Sequence, residues 1–389
     1  MTALEPIKSS ESQILPSSER KSHQHRLESD LQRRLDSLSM SRRRGSRFRF
    51  ITLSSVVIAF LSIIFLLWEF SALVSVHRIY PVIPHNSLTT ILAQWREPPF
   101  NFENTLPWLP DFSSGVTPKP IHSHNDYDRD IPLFRALSVG CTGVEADIHY
   151  IDGDLFVGHR VQDLEPMRTL ESLYLDPLMS ILQAQNQKLR QINSSAPFIG
   201  VFDDQPQESL VLLLDFKTNP EQALPAVLDR LRRFEDAKYL TRWNGSNLVQ
   251  GPITIVASGF MSWRPDLQNQ THGIVFLDAP LDDLADERAT YDISNSFYAS
   301  APLRPLVGRI GLWGMSRAQY NKVVGLVKHA HERGLKPRFW GTPSWPMMRR
   351  DEVWKQLVRA GVGMLNVDDI RSASLWNWNW CNTPGSRFC

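Results

Sequence analysis

Leu210-Val211-Leu212-Leu213-Leu214-Asp215-Phe216-Lys217 is an aliphatic run that ends in an acid and a base two residues apart. On a strand that spacing puts Asp215 and Lys217 on one face, at the carboxyl end. Upstream, Val144-Glu145-Ala146-Asp147-Ile148-His149 repeats the pattern, with alternation sending Glu145, Asp147 and His149 to a common face. Apolar, β-branched runs recur at 119–123, 143–149, 210–216, 253–257, 273–278, 294–299, 337–341 and 363–367. Segments of helical period separate them, at 131–139, 170–189, 220–234, 317–333 and 349–360. Strand and helix alternating in this way predict an eight-stranded parallel barrel, a (β/α)8 TIM barrel over residues 119–372, whose 254 positions match the ~250 usual for that fold. A further extended piece, 154–158, is expected as an excursion in the connection after the second strand.

The chain has 389 residues, 42% of them apolar, enough to bury a large core. Its 42 Lys+Arg against 41 Asp+Glu leave a net charge of +1, without the positive excess that nucleic-acid binding needs. Three cysteines, Cys141, Cys381 and Cys389, are too few for a disulfide scaffold or a zinc cluster.

The charge is unevenly placed, because residues 1–50 hold eleven Lys/Arg against six Asp/Glu, an excess of five, leaving −4 for the rest. Residues 1–49, rich in serine and without apolar period, read as a disordered basic tail. Residues 50–68 are nineteen uncharged, mostly apolar positions, a helix of about 28 Å at ~1.5 Å per residue, long enough to cross a bilayer. The segment 50–76 is therefore predicted as a single transmembrane signal anchor. Arg42, Arg43, Arg44, Arg47 and Arg49 crowd its amino side, so the positive-inside rule keeps the tail cytosolic and puts the barrel in a lumen or outside the cell. Seven prolines in 77–118 read as an extended stalk, and 373–389 form a tryptophan-rich tail.

In such barrels the chemistry gathers at the carboxyl ends of the strands. The first strand ends in Ile121-His122-Ser123-His124-Asn125-Asp126, and the connection after the second supplies Gly158-His159-Arg160. Glu145 and Asp147 side by side repel unless a cation or protons neutralise them, and a hard divalent ion, Mg2+ or Ca2+, with Asp215 as third oxygen ligand, is the simplest compensation. Lys217 offers a positive charge to an anionic substrate. His124 and His159 flanking such an ion suit phosphodiester cleavage, one taking a proton from the attacking hydroxyl and the other giving one to the leaving oxygen. His122 is expected to point away from the partners of His124. His149 reads equally as a supporting group or a loop residue, and Asp368 and Asp369 either face the site or cap the following helix.

The series His124, Glu145-x-Asp147, His159 and Leu214-Asp215-Phe216-Lys217 resembles the site of the PLC-like phosphodiesterases, the barrel superfamily of glycerophosphodiester phosphodiesterases and spider-venom sphingomyelinase D. The run from Ile121 to Tyr127, Val144-Glu145-Ala146-Asp147, Leu155-Phe156-Val157-Gly158-His159, Phe339-Trp340-Gly341-Thr342-Pro343 and Asn366-Val367-Asp368-Asp369 is closer to the fungal altered-inheritance-of-mitochondria protein 6 family. The resemblance implies that Glu145, Asp147 and Asp215 bind Mg2+ or Ca2+, that His124 and His159 are the acid/base pair, and that Trp340 lines the substrate site. Asn125 stands where glycerophosphodiesterases carry arginine and is assigned to the substrate; the diester itself is expected to be lipid-derived.

A metal-dependent amidohydrolase would share the barrel and the His122-x-His124 pair. It needs histidines at the ends of the fifth and sixth strands, which read Phe276-Leu277-Asp278 and Ser296-Phe297-Tyr298. A glycosidase accounts for acids and tryptophans but leaves the two histidines unused. A membrane-tethered binding protein on a retired barrel is the alternative of another class, separated from an enzyme by ion-dependent hydrolysis of a generic diester.

Overall fold

The computed structural model describes residues 26, 29–34, 53–71, 86–94, 111–192, 197–262 and 267–375. The chain divides into two compact units, Met1–Pro81 and Val82–Cys389. In the first, Leu53–Ser71 is a 19-residue helix with a mean hydropathy of 2.2, long and apolar enough to cross a membrane.

Among the described residues of the second unit eleven strands form in chain order: β1 (Lys119–Ser123), β2 (Cys141–Ile151), β3 (Asp154–Val157), β4 (Leu210–Phe216), β5 (Arg242–Trp243), β6 (Leu248–Val249), β7 (Ile253–Gly259), β8 (Val275–Pro280), β9 (Ser296–Pro302), β10 (Lys336–Trp340) and β11 (Met364–Val367). Eight of them run parallel in the order β1, β11, β10, β9, β8, β7, β4, β2, and pairing of β1 with β2 closes the ring. All eight predicted strands are present. The excursion is present too, as β3 folded antiparallel onto the outer end of β2. β5 and β6 make a small separate hairpin.

Alternation along β4 explains the layering. Leu210, Leu212 and Leu214 join the large core between strands and helices, while Val211 and Leu213 join a second, inner cluster with Val256, Tyr298 and Met364. Asp215 is the next residue on the inner row. On β2, likewise, Val144, Ala146 and Ile148 belong to the outer core, so Glu145, Asp147 and His149 belong to the inner face. The barrel is filled with aliphatic side chains below and charged ones above. Gly143 makes room for this: a Cβ there would lie 2.5 Å from His122 Nδ1 and 3.0 Å from the Tyr298 hydroxyl.

The helices start and stop where local chemistry directs. Asn219 caps Pro220–Asp236 by accepting from the Glu221 amide, Ser316 and Gln319 form a reciprocal capping box at Arg317–Glu332, and Gly361 (φ 90°) ends Met347–Ala360. The stretch 77–118 is not extended throughout. Ser87–Gln94 is a helix, because Leu88 and Ile91, three apart, find a place in the core of the barrel unit. The arginine cluster 42–49, the sequon at Asn193, Cys381, Cys389 and the tryptophans 376–380 lie outside the described residues.

Candidate active site

β2 and β4 pair in register with Asp147 opposite Asp215 and Glu145 opposite Leu213. That register brings three carboxylates together, and one oxygen from each of Glu145, Asp147 and Asp215 lies within 4.8 Å of the others. Asp147 is the hub. Its Oδ2 accepts from the Tyr127 hydroxyl at 2.8 Å, stands 3.0 Å from His159 Nδ1 and 3.0 Å from Lys217 Nζ, while its Oδ1 is buried without a partner. Lys217 also reaches Asp215 Oδ1 at 3.2 Å. Burial raises the Asp215 carboxyl above its ordinary value and the charges of Asp147 and Glu145 add to this, with Lys217 opposing them. Gly259 (φ 72°) leaves the space this carboxylate needs, since a Cβ there would fall 2.1 Å from Asp215 Oδ1.

These residues fit a divalent cation. The donors are all carboxylate oxygens, as hard cations prefer, one of them is an orphaned buried oxygen, and a glycine keeps the cradle open.

Glu145 is tied down from below. His122 Nε2 lies 3.3 Å and Arg338 Nη1 3.5 Å from its Oε2. Burial alone would raise its pKa, yet His122 and Arg338 outweigh that and hold it at about 2. Burial and the Arg338 charge lower His122 to about 4, so at neutral pH it is an uncharged donor to an ionised Glu145. The expectation that His122 points away from the partners of His124 is thus corrected: it meets Glu145, whose charge also acts on His124, because in the closed barrel this face of the first strand meets β2. Arg338, which the sequence reading passed over, also bonds Asn366 Oδ1 at 2.8 Å, Asp278 Oδ2 at 2.9 Å and Ser300 Oγ at 2.8 Å. Its signal was its place two residues before Trp340 on one strand.

The two histidines are each oriented by an acid. His124 Nδ1 is 2.7 Å from Asp368 Oδ1; burial opposes protonation of the ring, but the Asp368 hydrogen bond and the Glu145 charge prevail and raise its pKa. His159 leans on Asp147, and its side chain is 58% exposed. Burial raises the Asp128 carboxyl above its ordinary value, with His159 and His124 opposing the rise. His149 Nε2 is 2.9 Å from the Gly158 carbonyl, whose amide donates to Asp147 O at 3.1 Å, so His149 fixes the loop that carries His159. Asp368 and Asp369 split the roles foreseen for them: the first holds His124, and the second accepts from the Ser372 amide at the start of the last helix.

Asn125 follows His124 in a left-handed conformation (φ 45°, ψ 51°) that opens the turn 126–128, one that asparagine adopts readily, and its side chain does not cap that turn. Trp340 closes β10 and is 42% exposed.

Comparison with known proteins identifies the family of the chain. The family described as an AIM6-like phosphodiesterase domain matches residues 110–278, which include every residue of the acidic triad and both oriented histidines. The altered inheritance of mitochondria protein 6 homolog of Arthroderma benhamiae is 35% identical over 279 residues, 68% of this chain and 85% of that protein. Altered inheritance of mitochondria protein 6 of Eremothecium gossypii is 34% identical over 268 residues, 65% of this chain and 68% of its own length. That of Saccharomyces cerevisiae (strain RM11-1a) is 29% identical over 279 residues, 67% of this chain and 71% of its own.

Proposed function

The chain belongs to the altered inheritance of mitochondria protein 6 family of phosphodiesterase-type barrels, and on that premise we propose that it is a membrane-anchored, metal-dependent phosphoric diester hydrolase acting on a lipid-derived diester. The observation that carries the reading is the convergence of Glu145, Asp147 and Asp215 between two histidines, each held by its own carboxylate.

Glu145, Asp147 and Asp215 would hold Mg2+ or Ca2+, which when bound draws charge from the phosphoryl oxygens. The protein's own groups do the rest. His124 donates its Nδ1–H as a hydrogen bond to Asp368, which leaves Nε2 for the substrate, and His159 is turned in the same way by Asp147. One imidazole takes a proton from the attacking water, whose oxygen bonds to phosphorus, while the other protonates the departing oxygen as its bond to phosphorus breaks. Lys217, between Asp147 and Asp215, is placed to meet the phosphate anion, and Trp340 and Asn125 are the proposed walls for the group it carries. The helix Leu53–Ser71 would hold the barrel to one membrane, with residues 1–49 cytosolic and the barrel lumenal or extracellular.

The test uses the full chain in nanodiscs with bis(p-nitrophenyl) phosphate and a panel of diester lipids, with and without EDTA. Hydrolysis lost to the chelator and restored by Mg2+ or Ca2+ supports the proposal. Ion binding with no turnover of any diester would make it a binding protein on the same barrel.

A further inference from the structure

All but three of the large apolar side chains that the described barrel leaves exposed lie at the carboxyl ends of its strands or in the connections leaving them, and the exceptions are Val249, Ile293 and Val324. Phe260 follows β7, Trp340 closes β10, and Trp345 stands in the next connection, 60% exposed. The clearest case is Gly311-Leu312-Trp313-Gly314 after β9. Gly311 and Gly314 bridge, so that Leu312 and Trp313 form a hairpin tip at 55% and 77% exposure, while Ile310 and Met315 on either side are buried.

Nothing about this tip is lax. Gln356 accepts from the Met315 amide at 2.7 Å and donates to the Met315 carbonyl at 3.0 Å, and Gly314 (φ 89°) is required there because a Cβ would come 2.7 Å from Gln356 Oε1. The fold thus fixes a leucine and a tryptophan outward in water, where they contribute nothing to its own core. Exposed arginines, Arg309 and Arg317, flank them. Fixed aromatic tips beside basic residues suit the interfacial zone of a bilayer, where the ring meets acyl chains and the guanidinium meets lipid phosphate.

The chain itself supplies a bilayer. Fourteen residues, 72–85, lie between Ser71, the end of the apolar helix, and Asn86 in the barrel unit, and at ~3.3–3.6 Å each they span at most about 50 Å. An anchor on that helix would keep the barrel unit tethered to one lipid surface, at high effective concentration. We propose that the hairpin tip Leu312-Trp313, with Phe260, Trp340 and Trp345, docks the catalytic end of the barrel onto a bilayer, so that a diester lipid enters the site from the membrane plane. This rests on the anchor and the lipid substrate proposed above.

Nitrobenzoxadiazole is attached in the full chain, lacking its native cysteines, to single cysteines at Trp313→Cys, Trp345→Cys, Val249→Cys, Val324→Cys and Phe60→Cys. Each protein is placed in phosphatidylcholine vesicles with and without lipid carrying a nitroxide, near the headgroup for the four barrel labels and on the acyl chain for the label at 60. Docking predicts quenching at 313 and 345 at least about threefold stronger than at 249 and 324. Equal quenching at all four barrel positions overturns it. An unquenched label at 60 overturns the anchor instead, and the comparison between 313 and 249 still reads docking separately.

Discussion

Asp147 offers one oxygen to three donors and keeps the other bare and buried, an arrangement that makes sense if that second oxygen has a cation to meet. Glu145→Gln, Asp147→Asn and Asp215→Asn are each expected to abolish ion-stimulated turnover while the far-ultraviolet circular dichroism remains that of a folded barrel, because the cation neutralises the cluster rather than building the core. Calorimetry on the triple variant decides the assignment, since normal Mg2+ or Ca2+ binding by it would refute the site. His124→Ala and His159→Ala should each lose at least about 10²-fold in kcat, the usual worth of a positioned acid or base. Because both serve one proton cycle, the double variant should lose far less than the product of the two. Asp368→Asn tests the orientation of His124. Asp368 raises the His124 pKa, so its removal should move the pH–rate limb due to His124 to lower pH, whichever of acid or base that ring is. Stability carries the matching sign: the folded-state value of His124 is raised, so its contribution is complete below its ordinary value of 6.5 and is lost as pH climbs through the raised one. A limb that stays in place in the asparagine variant would mean that another group sets it.

At the scale of elements, the charged upper layer of the barrel depends on Arg338, which four side chains of four different strands or strand ends hold: Glu145, Asp278, Ser300 and Asn366. Arg338→Met leaves two buried carboxylates without their shared cation and should cost about 3–5 kcal/mol in denaturant unfolding, the usual range when one partner of a buried pair is removed. A loss under ~1 kcal/mol would show that water enters and replaces the guanidinium. How such a residue escaped the sequence is instructive. Lys336-Pro337-Arg338-Phe339-Trp340 reads as a strand, but an arginine on a strand has an exposed face as its ordinary home, and only closure of β1 onto β2 turns that face inward. His122 was misjudged for the same reason, since its partner Glu145 lies on the neighbouring strand. What the sequence did carry was the local pattern. Aliphatic runs of period two located all eight barrel strands, and the acids at their carboxyl ends located the triad, because both signals sit within one strand. Ser87–Gln94 was hidden by the prolines around it, which dominate composition over a window that contains one short amphipathic helix.

For the whole molecule the proposed anchor makes a prediction about topology, and the chain offers markers of it independent of any substrate. Asn193-Ser194-Ser195, Asn244-Gly245-Ser246 and Asn269-Gln270-Thr271 are glycosylation sequons beyond the apolar helix, and the tail before it has none. Asn244 is exposed in the turn between β5 and β6, open to a glycan, and Asn269 is exposed as well, although Thr271 is buried. An oxidising lumen would also allow Cys381 and Cys389 to pair, leaving Cys141, whose buried thiol is pushed well above the ordinary range and is inert. By the positive-inside rule the arginines at 42–49 point the same way, to a cytosolic tail. In sealed microsomes, added protease should therefore remove an amino-terminal tag while the barrel survives, and endoglycosidase should lower the barrel's apparent mass. Asn244→Gln should abolish at least one step of that shift. A protected tag with a digested, unglycosylated barrel would reverse the orientation, place the acidic triad in the cytosol, and leave the sequons as chance occurrences of a three-residue pattern.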